Sequence, residues 1–316
     1  MTLEQPKEVH PKELAPSVWV ERDCPICGTQ TQSSLFAESN VRAEELDHFA
    51  FASRKLPEYM HARLLACASC DMLYASPALD GKVLADCYKD ADFDSGLESG
   101  YAARTYAREL RPLLATLPRP LSGLDIGCGD GTFLEQLVSA GFNEVVGIEP
   151  SIIPIQAAKP VIRDNIRCGL FAAGDYAPAS FSLITCFQVM EHVPDPLSLC
   201  EGVLKLLQPG GAFAIIVHNR RALSAKILGK KSPIFDIEHL QLFSADSGTR
   251  LLESAGFTDV TVTSIWNRYP LHYWMKLFPL PRAMKLPLIG LSRKLLLGNI
   301  AVSIPAGNLL FTGIRP

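Results

Sequence analysis

The sequence predicts a doubly wound α/β domain preceded by a small module braced by cysteines. Three observations carry this prediction. From Leu121 onward, strand-like runs alternate with helical patterns: LSGLDI, TFLEQLVSAGF, EVVGIEP, then FSLITCFQ, PLSLCEGVLKLLQPGG and AFAIIVH. Such alternation makes a mainly parallel sheet covered by helices on both faces. A glycine-dense turn, Gly127-Cys-Gly129-Asp-Gly131, separates the first strand from the first helix. Ahead of both, Cys24-Pro-Ile-Cys27 and Cys67-Ala-Ser-Cys70 form two knuckles with 39 residues between them.

Residues 1–85 hold the knuckles. The chain starts with Glu4, Lys7, Glu8, Lys12 and Glu13 and no apolar run behind a basic start, so a secretory leader is not expected. Two thiolate pairs on tight turns predict a tetrahedral S₄ centre at Cys24, Cys27, Cys67 and Cys70. Zinc is its default occupant in a reducing cytosol, and closed coordination makes it structural. The other reading of a CxxC pair, a redox couple, is disfavoured by the duplication. Cys186 and Cys200 lie in apolar strand-like or helical runs and read as small hydrophobes, so disulfides are not expected and a cytoplasmic setting is.

Residues 86–120 read as a linker. Ser99 to Leu117 has helical spacing, ended by Pro118 and Pro120. The α/β domain occupies 121–316. Within it the helix PLSLCEGVLKLLQPGG is expected to close at its glycine pair, residues 244–265 to add a helix and a strand, and NLLFTGI to close the sheet. Residues 266–302 read as an insertion rich in Trp, Tyr, Pro, Leu and Lys/Arg.

Charge sharpens the last point. The net charge is −3, yet no Asp or Glu follows Asp259, while Arg268, Lys276, Arg282, Lys285, Arg293, Lys294 and Arg315 do. A segment so basic and apolar suits a lid, a dimer contact, or a surface lying on anionic lipid or a lipid-linked substrate. The acidic remainder argues against nucleic acid as a partner.

The glycine turn is the candidate cofactor site. Its glycines fall at alternate positions, not as G-x-G-x-x-G, and Asp125 and Asp130 would repel a pyrophosphate; S-adenosylmethionine (SAM), with a sulfonium and an amino group, tolerates them. Glu149 closes the second strand, where a carboxylate can accept hydrogen bonds from both ribose hydroxyls of an adenosine.

DIGCGDGTFLEQL, GIEPS, FSLITCFQVMEHVPDP and LLQPGGAFAIIV, in this order over roughly residues 120–265, resemble the class I SAM-dependent methyltransferases. The resemblance implies a Rossmann-like seven-stranded sheet of order 3-2-1-4-5-7-6 and methyl transfer by in-line displacement. It departs from the family at Gly169-Leu170-Phe171, where many members carry an acid for the adenine, and at Phe181-Ser182, where Phe-Asp is usual. Phe171 and Gln188 are accordingly placed on the cofactor pocket.

Two strings compete for the chemistry. Gln188-Val-Met-Glu191-His192 is similar to the ubiquinone-pathway O-methyltransferases, in which a Glu-x-x-Glu-His arrangement is associated with a divalent metal; Gln188 replaces the first Glu. Asp236-Ile-Glu238-His239 resembles the acid/base pair of sugar C-methyltransferases, which share a four-cysteine module, although Ile237 stands where a His is frequent. In those enzymes the module helps enclose the acceptor, a role open here to Tyr59, His61 or Tyr74. The expectation is methyl transfer to carbon or oxygen of a small-molecule acceptor. The alternatives are an RNA methyltransferase clamped by the zinc module and a binding protein without catalysis.

Overall fold

A computed structural model of the chain describes residues 18–42, 59–89, 96–278, 282–294 and 297–316. Short strands open it: β1 (Trp19–Val20), β2 (Ser33–Ala37), β3 (Leu64–Cys67), β4 (Leu73–Ala75) and β5 (Ala78–Leu79). The helices α1 (Gly81–Lys89) and α2 (Gly96–Leu114) follow. α2 is the helix expected over Ser99–Leu117, shifted toward the N-terminus. Pro112 lies inside its last turn, withholding one helical hydrogen bond, and the helix stops at Leu114 before reaching Pro118.

The winding then proceeds through β6 (Ser122–Ile126), α3 (Thr132–Ser139), β7 (Glu144–Glu149), α4 (Ile152–Ala157), α5 (Pro160–Arg163), β8 (Ile166–Cys168), β9 (Phe181–Phe187), α6 (Pro196–Leu206) and β10 (Leu207–His218). Then come α7 (Leu223–Leu228), β11 (Gln241–Leu242), α8 (Ala245–Ser254), β12 (Thr258–Pro270), α9 (Leu271–Leu277), α10 (Arg282–Lys294) and β13 (Ala301–Ile314).

Seven strands form one sheet in the order β8-β7-β6-β9-β10-β13-β12. This is the order 3-2-1-4-5-7-6 that the resemblance implied. β6 to β10 pair in parallel, and β13 runs antiparallel to both β10 and β12. The central strands β6 and β9 are buried almost throughout, as strands covered on both faces must be. Ser182, the departure from Phe-Asp, is buried beside Ser122; their hydroxyls and main chains exchange bonds of 2.9–3.2 Å, so neither polar group is stranded.

Three expectations need correction. The glycine pair Gly210-Gly211 does not close α6. Leu207 is already extended and fully buried against Phe181, and the glycines lie in an irregularity of β10 before pairing resumes at Ala212. The insertion is shorter than 266–302, because β12 runs to Pro270 and pairs with β13 from Ala301 onward; what projects is the helical pair α9 and α10. Finally, the cysteine module does not stand apart. β11, from the far side of the chain, is the edge strand of its four-stranded sheet, pairing Gln241 with Tyr74 and Leu242 with Leu73. Cys24, Cys67, Cys70, Met72 and Tyr74 also share one hydrophobic cluster with Ile184, Phe213 and Phe243.

Candidate active site

A cavity of about 890 Å³ opens at the carboxyl ends of β6, β7, β9 and β10, where open α/β sheets bind ligands. Gly127, Gly129, Glu149, Phe171 and Gln188 form one wall, the residues around His192 and His239 another, and α7, α9 and the start of β13 the mouth, whereas the predicted Gly131 stands outside the lining, packed against Ile162 and Ile166.

The turn is bent by its glycines. Gly127 has φ 73° and its missing Cβ would sit 2.3 Å from Val189, so no side chain fits. Gly129, at φ 56°, differs: a Cβ there would meet nothing within 4 Å. Its backbone faces open cavity, which is the approach a ligand needs. Asp130, also on the cavity, accepts from the Ser99 hydroxyl at 2.8 Å and from Thr132, tying α2 to α3.

Asp125 is buried, accepts from the Thr185 hydroxyl at 2.6 Å, and lines the cavity. Loss of water pushes its carboxyl up to about 7, with the charge of Glu149 adding to the rise and the Thr185 bond opposing it. Glu149 is itself raised by burial, against hydrogen bonds from the Ser151 and Gly129 amides at 3.0 Å each. Each carboxylate oxygen therefore has one amide donor and spare acceptor capacity for ligand hydroxyls. Two acids on one wall favour a cationic, hydroxyl-bearing ligand. Phe171 packs near Tyr176, centroids 6.4 Å apart, and offers an apolar face to the same wall.

Three imidazoles, His192, His218 and His239, meet across the cavity. The His239 ring lies 5.0 Å from that of His192 and 5.3 Å from that of His218. Its Nδ1 is 2.8 Å from the Ile234 carbonyl and donates to it, which leaves Nε2 as the basic nitrogen. His192 Nδ1 lies 2.7 Å from the Tyr88 hydroxyl and 3.0 Å from the Glu238 carbonyl. Burial raises Tyr88 and lowers His192, so the hydroxyl keeps its proton and the imidazole stays neutral. The Glu238 carboxylate reaches within 3.9 Å of the same Nδ1.

Glu191 is not where the metal reading needs it. Its side chain is fully buried and turned away from His192, and Oε1 accepts from the His218 amide at 2.6 Å and lies 3.0 Å from His218 Nδ1. The loop is pinned from behind, where the Leu240 amide donates to the Glu191 carbonyl at 2.9 Å and the Gln241 amide group to the Met190 and Val193 carbonyls. Adjacent residues are thus held facing apart, and Glu191 and His192 do not converge on one ion. Gln188, at φ 58°, lines the cavity and anchors through its amide to the Ile216 carbonyl.

The four predicted thiols do converge: Cys24, Cys27, Cys67 and Cys70 place their sulfurs within 4.8 Å of one another. The Cys24–Cys70 and Cys27–Cys67 separations are 3.5 and 3.8 Å. A tetrahedron of thiolates bonded at roughly 2.3 Å has edges of about 3.8 Å, so the set has the dimensions of a closed S₄ centre. The thiols split: a hydrogen bond with Cys70 holds Cys24 well below its usual range, the same bond pushes Cys70 up, and burial raises Cys27. Asp71, next to Cys70, pairs with Arg220 and Arg221, two residues beyond the His218 strand end. By contrast, His61 and Tyr74 bond within the module, to the Ala62 carbonyl and the Ser33 hydroxyl, and neither lines the cavity; nor does Tyr59.

Sequence reasoning passed over Tyr88, His218, and Tyr269, Tyr273 and Trp274 at the mouth. His218 was findable, since it is the last residue of AFAIIVH at the carboxyl end of a strand. Tyr88 was not, because only the packing of α1 brings it to His192.

A family model described as a methyltransferase domain matches residues 99–262. The chain is 35% identical over 114 residues to the ubiquinone biosynthesis O-methyltransferase of Thiobacillus denitrificans, covering 33% of this chain and 49% of that protein. The namesake enzyme of Proteus mirabilis is 30% identical over 162 residues, 48% of this chain and 64% of that one. The chain thus spans about half the length of the curated relatives it matches. Among solved structures, a SAM-dependent methyltransferase from Archaeoglobus fulgidus aligns with a TM-score of 0.45 at 16% identity, covering 67% of this chain and 94% of that one.

Proposed function

The chain belongs to the methyltransferase domain family, and from that membership we propose that it methylates a hydroxyl oxygen of an amphiphilic small molecule, with SAM as donor. The carrying observation is one cavity with two unlike ends: an acidic, glycine-cradled wall at Gly129 and Glu149, and a histidine cluster opening to an aromatic mouth. When bound, SAM supplies an electrophilic methyl group. Glu149 is placed to receive ribose hydroxyls, Gly129 to admit the ligand against the backbone, Phe171 to cover the adenine, and Asp125 to face the cationic end. The histidine cluster, including the Glu238–His239 pair, is the sink for the acceptor's proton. The four cysteines hold a structural zinc, for which their convergence and spacing fit.

The acceptor class follows from the mouth. Tyr269, Tyr273, Trp274, Leu277 and Phe278 line it on one side, Ile227 and Leu228 on the other. Leu223, Ile227 and Phe278 remain more than half exposed, and Lys226, Lys230 and Lys231 stand exposed beside them. Exposed apolar side chains among lysines suit an anionic lipid surface. Among the described residues no helix is long and apolar enough to cross a membrane, so contact would be peripheral. The names of the curated relatives support oxygen as the methylated atom. With labelled SAM and phosphatidylglycerol vesicles carrying an alkyl catechol, the protein is expected to float with the vesicles and label the catechol. Absence of label from the catechol, in vesicles or free, would remove this acceptor class.

Asp125 gives the cofactor reading a pH signature. In the ligand-free fold its carboxyl is raised from 3.8 to about 7. Its stabilising contribution is therefore complete below the unfolded value and lost as pH rises through about 7, by up to several kcal/mol. A bound cation favours the ionised form, so SAM affinity is expected to climb between about pH 5 and pH 8 and then level. Asp125→Asn should flatten that climb in calorimetry and, without ligand, melt above the parent at about pH 8. A parent affinity independent of pH would contradict the assignment.

A further inference from the structure

We propose that Glu191 and His218 form a carboxylate–imidazole dyad whose Nε2 takes the proton of the acceptor hydroxyl. The proposal rests on the methyl-transfer reading above and assigns the base within it. β10 delivers His218 to the carboxyl edge of the sheet, where its ring lines the cavity with the side chain about one quarter exposed, at 27%. Behind it the Glu191 side chain has no exposure at all. One oxygen, Oε1, receives both the His218 amide, at 2.6 Å, and Nδ1, at 3.0 Å. In the dyad Nδ1 donates to that oxygen, which accepts. Nε2 is then the lone-pair nitrogen, and it is the one turned from the carboxylate.

The three imidazoles of the cluster are held by different partners. His239 rests its Nδ1 on a neutral carbonyl, that of Ile234, and the residue is only 8% exposed. His192 is held by the Tyr88 hydroxyl and the Glu238 carbonyl. His218 has a fully buried carboxylate bonded to its ring. Carboxylates are costly to bury without a partner, and Glu191 Oε2 has no hydrogen-bond partner among the described residues. Such a group holds its imidazole in one tautomer and stabilises the imidazolium that forms. The acceptor O–H bond breaks, its proton passes to Nε2, and the oxygen electron pair remains to bond the methyl carbon. The imidazolium then returns its proton to water.

The test uses the full-length protein and two independent readouts. In ¹⁵N-histidine spectra of the parent, the resonance lost in His218→Gln is expected to show a protonated Nδ1 and a bare Nε2. Glu191→Gln keeps an acceptor but removes the charge, so it should preserve that tautomer and lower turnover on an alkyl catechol about 10- to 100-fold. His218→Gln should lower it by about 10²–10⁴, more than His239→Gln, with SAM affinity unchanged. Added imidazole should restore part of the rate to His218→Ala. A proton on Nε2 in the parent, or a His218→Gln variant that methylates like the parent, would overturn the dyad. If the parent methylates no catechol, the acceptor reading fails while the spectra still decide the dyad.

Discussion

Gly129→Val is expected to weaken SAM binding about 100-fold or more while leaving the cysteine-bound metal in place. Two costs add at that residue. A β-branched side chain at φ 56° is strained by its own backbone. Its methyl groups would also occupy the open space that the missing Cβ leaves on the cavity wall. Gly141→Ala separates the two effects, because Gly141 has φ 90°, nothing within 4 Å of its Cβ position, and no place on the cavity. That variant should melt lower than the parent and bind SAM unchanged. Calorimetry giving Gly129→Val an affinity like the parent's would mean the ligand does not approach the turn.

Removing the metal proposed for the four cysteines is the second large perturbation. Cys67→Ser or prolonged chelation is expected to lower the melting temperature by about 10 °C or more, because in small metal modules the binding free energy is folding free energy. The effect should spread beyond the knuckles. Cys24, Cys67 and Cys70 are packed in the same cluster as Phe213 and Phe243, and the turn after Cys70 holds Arg220 and Arg221 through Asp71. Loss of the knuckles thus loosens the loop behind His218, and turnover should fall further than SAM affinity. Elemental analysis finding no stoichiometric metal in carefully purified protein would end this reading, as would a chelated protein that melts with the parent.

The parts of the fold written in local pattern were legible beforehand. The strand–glycine–helix opening, the strand order implied by the resemblance and the cysteine pairs all depend on short stretches whose periodicity or spacing carries their meaning. The closing of α6 at its glycines was misread because burial of Leu207 against Phe181, a contact between distant residues, extends the chain before the glycines are reached. The site divided in the same way. Asp125, Gly129, Glu149, Phe171 and Gln188 all line the cavity, as their motif positions suggested. Glu191 and His192, adjacent in sequence, face apart because Leu240 and Gln241 pin the loop between them, and no spacing rule reports that. His218 stayed hidden for a different reason: a single His ending an apolar strand acquires meaning only when the carboxylate beside it is known.

The pairing of β11 with β4 joins residues 241 and 242 to residues 74 and 73. On a ribosome, which releases the chain from its N-terminus at about 5–20 residues per second, this pairing has a consequence in time. The four cysteines are available once residue 70 has emerged, but the sheet that carries Cys67 lacks an edge strand until residue 242 follows, long after the first parallel strands have been made. Until then β4 presents an open edge, the kind of surface that recruits a neighbouring nascent chain. Closure of that edge therefore waits on a segment made some 170 residues after the knuckles.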